Sequence, residues 1–435
     1  MRRRVSLAAV ALSAIPFSPS PASADELRDE VAARATAVMD KVVAWRHDIH
    51  QHPELSNREF RTAALVADHL RSLGFDRVDT EVAHTGVVGV LVGAKPGPTV
   101  ALRADMDALP VTEQTGLPYA SEVRTEFNGE EVGVMHASGH DAHVAVLMGV
   151  AEVLAGMRDE LPGTVKLVFQ PAEEGAPAGE EGGADMMVRE GVLENPAPEA
   201  IFGLHVWPGP QGWIGYRPEG TLAAADGLMI KIKGRQTHGS APWRGVDPII
   251  AAAHVMVALQ SIPRRQLDIT KAPAVVSIGS IRGGVRGNII PDEVTLWGTV
   301  RTFDEEMRQD FLRRIESTAE SVAAASGATA EVTFPGHAPL TYNDPELTER
   351  MVPTLRWAAG EDSVSVAPRI TGAEDFSYYQ REIPGFFFFL GVNEEGVDPS
   401  EAAPNHSPFF FVDDGALEVG VRAMAGAAVD YLSAH

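Results

Sequence analysis

The sequence predicts an α/β protein: a mixed central sheet flanked by helices, interrupted by an inserted ferredoxin-like α+β block. Three observations carry this expectation. Apolar strand-like runs alternate with amphipathic helical stretches between residues 58 and 204. Residues 216–335 read β-α-β-β-α-β, the split pattern of a two-layer unit. After residue 335 the first pattern resumes. With 435 residues, the chain is long enough for two substantial cores. The expected organisation is a signal peptide over 1–24, a larger domain over 25–215 and 336–435, and an inserted lid or dimerisation domain over 216–335.

The N-terminus carries the marks of export. Arg2, Arg3 and Arg4 precede a short apolar run, Val5 to Ile15, and Ala22-Ser23-Ala24 forms a cleavage site before Asp25. The run is too short to span a bilayer. We therefore expect an exported protein, periplasmic or secreted, with no membrane attachment after cleavage. Removing the three arginines takes the formal charge from −24 to −27. So acidic a chain repels nucleic acid and anionic membrane surfaces. There is no cysteine, so no disulfide supports the fold and no thiol can be oxidised.

In chain order, Arg46 to His52 reads as a helix end stopped by Pro53, with His47, His50 and His52 as structural residues. Arg58 to Leu73 is amphipathic, with Ala63, Ala64, Leu65, Ala67, Leu70 and Leu73 apolar, and Gly74 its stop. Val87–Val92 and Thr99–Ala104 are β-rich runs split by Gly93 and Pro96-Gly97-Pro98, and read as a strand pair. Then follow a helix over 142–157, a buried strand over 164–169, a helix over 182–192 and a strand over 200–204. The inserted block reads as a strand over 227–233, a helix over 247–259, strands over 274–281 and 293–301, a helix over 304–325 ended by Gly327, and a strand over 328–334. A helix over 346–357, a strand over 386–390 and a helix over 415–432 close the chain.

Chemistry-bearing side chains gather at the ends of these strands. Asp105 and Asp107 follow Thr99–Ala104, Glu173-Glu174 follow Thr164–Phe169, and His205 ends Ala200–Leu204. Ligands of open α/β sheets bind beyond the carboxyl ends of the strands. With His136-Ala137-Ser138-Gly139-His140-Asp141 and Asn405-His406-Ser407-Pro408, these residues suit Zn²⁺ or a similar divalent ion. A glutamate beside a ligand glutamate is placed for general-base work.

The same motifs resemble those of the metal-dependent amidohydrolases and peptidases that include hippurate hydrolase, auxin-conjugate hydrolases, aminoacylases and related carboxypeptidases. The resemblance covers nearly the whole mature chain, from Arg46–Leu55 and Arg103–Pro110 through Thr237–Pro242, Gly287–Asp292 and Gly372–Phe376 to Asn405–Pro408. It implies a centre of two divalent ions (Zn, Mn or Co) held by His140, Glu174, His205 and His406, with position 138 bridging them. It implies Glu173 as general base, Asp105 and Asp107 as orienting groups, and His238 as an oxyanion donor reaching across a homodimer interface. Asn288 and Arg301 are the candidates for gripping a substrate carboxylate. The substrate class implied is an N-acyl amino acid or a short peptide. In close relatives the bridging residue is cysteine, whereas Ser138 stands here. A neutral hydroxyl is a far weaker ligand than a thiolate. Weaker metal binding or a preference for a harder ion such as Mn²⁺, a one-ion site or recruitment of Asp105 or Asp141 as a ligand, and a binding protein without turnover are the alternatives this change leaves open.

Overall fold

A computed structural model describes residues 24–434. The expected signal peptide lies, apart from its last residue, outside the described residues. Helix α1 (Ala24–Gln51) opens the fold, followed by α2 (Phe60–Ser72). Strands β1 (Arg77–Val82), β2 (Gly86–Val92) and β3 (Lys95–Asp105) lead to α3 (His140–Gly156), β4 (Pro162–Gln170), β5 (Ala200–Trp207) and β6 (Ile214–Tyr216). The inserted block comprises β7 (Ala224–Lys233), α4 (Pro248–Leu259), β8 (Ala274–Arg282), β9 (Glu293–Thr302), α5 (Glu305–Ala325) and β10 (Thr329–Thr333). The chain closes with α6 (Pro345–Ala359), β11 (Val364–Val366), β12 (Gly385–Gly391) and α7 (Leu417–Ser433).

The central sheet runs β1-β2-β4-β3-β5-β12-β6-β11. Its middle four strands, β4, β3, β5 and β12, are mutually parallel, and antiparallel strands flank them. This is the mixed α/β sheet the alternation predicts. Its middle strands are buried on both faces, which explains their continuous apolar runs. One expectation is corrected. Segments 87–92 and 99–104 are not a hydrogen-bonded pair, because β4 lies between them, antiparallel to β2 and parallel to β3. The β3-α3-β4 crossover returns the chain beside β3 and so takes the place a hairpin partner would have filled.

Helix α1 extends far upstream of the predicted helix end. Leu27, Val31, Ala35, Val38, Val42 and Ile49 form its buried stripe in the core shared with α3 and α7. The smaller sheet is antiparallel in the order β8-β9-β7-β10, as a β-α-β-β-α-β chain requires, and α4 and α5 bury an apolar face against it. Aspartates start three helices by accepting backbone N–H bonds: Asp247 for α4, Asp304 for α5 and Asp344 for α6. No helix among the described residues is long and apolar enough to cross a membrane.

Candidate metal centre

The parallel strands deliver their carboxyl ends to one edge of the sheet. Asp105 ends β3, Gln170 ends β4 just before Glu173 and Glu174, and His205 lies near the end of β5. Gly139 adopts φ +88° immediately before α3, and a Cβ there would meet Val206 Cγ2 at 2.3 Å. Only glycine lets the chain turn this tightly. The turn places Ser138 at the cleft and makes His140 the first residue of α3. Ala172 (φ 54°) and His406 (φ 71°) also hold left-handed backbone. Such strain gathers where side chains must be aimed. His406 is pinned there by its N–H, which donates to the Ala137 carbonyl at 2.8 Å.

Glu174 Oε1 lies 3.1 Å from His406 Nε2, and Ser138 Oγ lies 3.3 Å from the same nitrogen. His140 Nε2 is 3.8 Å from Glu173 Oε2 and 4.0 Å from Glu174 Oε1. On its other side, His140 Nδ1 is 3.3 Å from Asp107 Oδ1. The His205 ring is 5.7 Å from that of His140, and its Nδ1 donates to the Val206 carbonyl at 2.7 Å. That bond fixes the tautomer and leaves Nε2 as a free lone pair. Burial, joined by nearby His143, holds the His205 pKa well below the usual range, so the ring stays neutral.

Asp107 acts as an anchor. Its Oδ1 accepts from the Glu173 N–H at 3.1 Å, and its Oδ2 accepts from the Glu174 N–H at 3.0 Å and the Ser56 hydroxyl at 2.7 Å. The two glutamates therefore hang from one fixed carboxylate.

Sequence reasoning missed much of the supporting shell. Arg103, fully buried, donates to Asp105 (2.6 Å), Gln170 (2.8 Å), Glu374 (2.9 Å) and Asp375 (3.0 Å). His143 donates from Nδ1 to Asp105 and accepts the Val206 N–H at its Nε2, at 2.8 Å. Both of its nitrogens are committed, so it supports the site rather than binding an ion. Asp141 is held through Oδ2 by Arg46 (3.1 Å) and His50 (2.9 Å) and is not among the residues that line the cleft. His47 is held by Asp414 at 2.7 Å and His50 by Asp141 at 2.9 Å, while His52 is exposed with Nδ1 2.8 Å from the Asp48 carbonyl. Asp105 is likewise occupied by Arg103 and His143.

A cleft of about 510 Å³ opens over these groups, lined among others by Ser138, Glu173, Glu174, His205 and His406. Arg301 reaches its wall from β9. It is half-buried and has no ion-pair partner among the described residues. His238 and Asn288 are not brought in. They lie exposed beside each other in the smaller unit, where Gly239 N–H donates to the Asn288 carbonyl at 2.8 Å and residues 237–238 pair with 289–290.

The donor set fits a divalent ion. His140 Nε2 is buried without a hydrogen-bond partner, its nearest carboxylate oxygens being 3.8 Å away, an unstable state unless something binds it. His140, Glu173 and Glu174 each offer an atom to a common point. Burial opposes a charged His140, yet Asp105 and Asp107 push its pKa up to about 10, so this pocket demands positive charge. Imidazole and carboxylate donors match Zn²⁺, Mn²⁺ and Co²⁺.

Such a centre beyond a parallel sheet suits metal-assisted hydrolysis. The model of peptidase family M20/M25/M40 matches residues 101–430, and the chain belongs to that family. It is 40% identical over 399 residues to thermostable carboxypeptidase 1 of Saccharolobus solfataricus, covering 91% of this chain and 96% of that one. It is 38% identical over 396 residues to N-acetylcysteine deacetylase of Bacillus subtilis, covering 89% and 96%. Among solved structures, a Bacillus subtilis protein described as a dinuclear metal-binding peptidase of the M20 family shares 36% identity at a TM-score of 0.76, covering 92% of this chain and 99% of that one.

Proposed function

We propose that this enzyme is exported and hydrolyses the amide bond of N-acyl amino acids, with two divalent ions held by Ser138, His140, Glu174, His205 and His406. The observation that carries this reading is the presence of Glu173 and Arg301 in the lining of one cleft. Bound ions would lower the pKa of water and polarise the scissile carbonyl. Glu173 then takes the proton of the attacking water and passes it to the departing amine. Without ions, burial first, then Glu374 and Glu174, push its pKa well above the usual carboxylate range; the positive charge of bound ions would favour the ionised form that a base needs. Asp107 keeps the Glu173 backbone in place through the bond already described. Arg301 orients the substrate by its free carboxylate. A homodimer would bring His238 and Asn288 of a second copy to this cleft, where His238 donates to the developing oxyanion.

The kinship with a carboxypeptidase supports a second reading, hydrolysis of short peptides at the same centre. Amino-acid release from N-acetyl, N-benzoyl and dipeptide substrates, with Zn²⁺, Mn²⁺ or Co²⁺ supplied in turn, separates the two. Glu173→Gln is expected to cost about 10²–10⁴ in kcat. Arg301→Ala is expected to cost about 1.5–3 kcal/mol of substrate interaction, expressed mainly in KM. Turnover that survives Glu173→Gln, or a chelator, would overturn the reading.

A further inference from the structure

Glu59 breaks a local rule. It stands at the N-cap of α2, a position that favours a short side chain able to accept the first N–H groups of the helix. Its side chain makes no such bond. Glu54 fills that role, its two oxygens accepting the N–H groups of Arg61 and Thr62, both at 2.9 Å. The Glu59 carboxylate turns into the protein instead and is completely buried. Oε1 accepts the Ala172 N–H at 2.9 Å, and Oε2 accepts the Thr85 hydroxyl at 2.5 Å. A buried carboxylate is costly unless hydrogen bonds hold it, so these two partners are what keep it there.

The bond to Ala172 falls at the start of the turn that carries Glu173 and Glu174. Pro171 has no N–H, so that of Ala172 is the first the turn offers after β4. Ala172 holds φ 54°, a left-handed backbone that is disfavoured for alanine. The next two N–H groups donate to Asp107. Three successive N–H groups thus converge on two buried carboxylates, the concave arrangement that backbone turns form around anions. Asp107 secures the two glutamates, and Glu59 secures the strained residue before them. We propose that Glu59 is a positioning residue: its carboxylate holds Ala172 in the left-handed region and so aims Glu173 and Glu174 at the cleft. This inference rests on the roles proposed above for those two glutamates.

The test has two readouts in the full-length protein: Zn²⁺ affinity, by competition with a chelator, and kcat of the metal-loaded enzyme on N-acetyl and N-benzoyl amino acids. Glu59→Met fills the same space but leaves the Ala172 N–H without an acceptor, and should lose about 10–100-fold in each readout. Glu59→Gln keeps an oxygen that can accept this N–H, and should lose no more than about fivefold. Ala172→Gly removes the left-handed strain. Added to Glu59→Met, it should recover about fivefold or more, and more than it gains in the natural background. Damage confined to α2 would not be repaired by a glycine at position 172. Glu59→Ala is expected to follow the same pattern and serves where Glu59→Met does not fold. Unchanged affinity and kcat in the Glu59 deletion, or a loss that Ala172→Gly does not reduce, overturns the inference. Zn²⁺ affinities that follow the expected pattern, in a protein that turns over no substrate with any metal, overturn the hydrolase reading and leave the hold of Glu59 on the turn standing.

Discussion

The charge network behind the site makes stability depend on pH in a defined direction. His50 is buried, with Nδ1 2.9 Å from Asp141 and Nε2 3.2 Å from Glu113. Burial favours the neutral ring, but the two carboxylates prevail and raise its pKa from 6.5 to about 9. The folded protein thus binds this proton more tightly than the unfolded chain does. The resulting stabilisation is complete below pH 6.5, fades as pH rises and is gone once pH passes about 9. The difference in pKa, 9 − 6.5 = 2.5, corresponds to about 3 kcal/mol. The assay is urea unfolding of the metal-free protein and of His50→Gln at pH about 6, 7.5 and 9.5. Arg46 remains beside Asp141 in the variant, so that carboxylate is not stranded. The natural protein should lose about 3 kcal/mol of its advantage over the variant between the lowest and highest pH. Parallel pH profiles for the two proteins would refute the assignment of a charged His50.

Two further outcomes follow from the same geometry. Arg103→Met leaves Asp105, Glu374 and Asp375 without their shared cation, and removing one partner of a buried ion pair costs about 3–5 kcal/mol. Thermal unfolding should show that loss, and a stability equal to the natural protein would show that these acids are held otherwise. Ser138→Cys supplies a thiolate beside His406, so affinity for Zn²⁺ measured by competition with a chelator in reducing buffer should rise by at least the ~10–100-fold that mere orienting groups contribute; no change would remove position 138 from the ligand set.

Much of the site was legible because strand ends and motif residues coincide. Glu173-Glu174 and His205 follow apolar runs that could only be buried strands, and Gly139 marks the turn that presents His140. Arg301 reaches the cleft because an arginine near the end of an alternating strand falls on the wall that β9 presents. What sequence pattern could not supply is long-range. Nothing in the two β-rich runs before residue 105 says that β4 will separate them. Arg103 carried a local signal, a cation inside a buried strand, yet its partners Glu374 and Asp375 lie some 270 residues away. His143 looked like one more residue of an apolar helix until Asp105 was placed against it. Helix α1 is different: its apolar stripe from Leu27 to Ile49 recurs at helical spacing and is a purely local signal.

The charge balance of the cleft bears on why serine is tolerated at position 138. Asp105, Asp107, Glu173, Glu174, Glu374 and Asp375 crowd around it, and Arg103 is the cation placed among them. Burial, and behind it the neighbouring acids, push Glu374 up to about 8 and Asp375 up to about 6, even with Arg103 opposing both shifts. An anion-rich, dehydrated pocket of this kind attracts divalent cations whether or not one more negative ligand is present. A bridging thiolate would add one charge to a site already short of cations. A hydroxyl would give up that charge and with it some affinity, but it leaves His140, Glu173, Glu174, His205, His406 and the Asp107 carboxylate in place. Serine in place of a thiolate would therefore alter how tightly ions are held, while the Glu173 backbone is fixed by Asp107 rather than by residue 138.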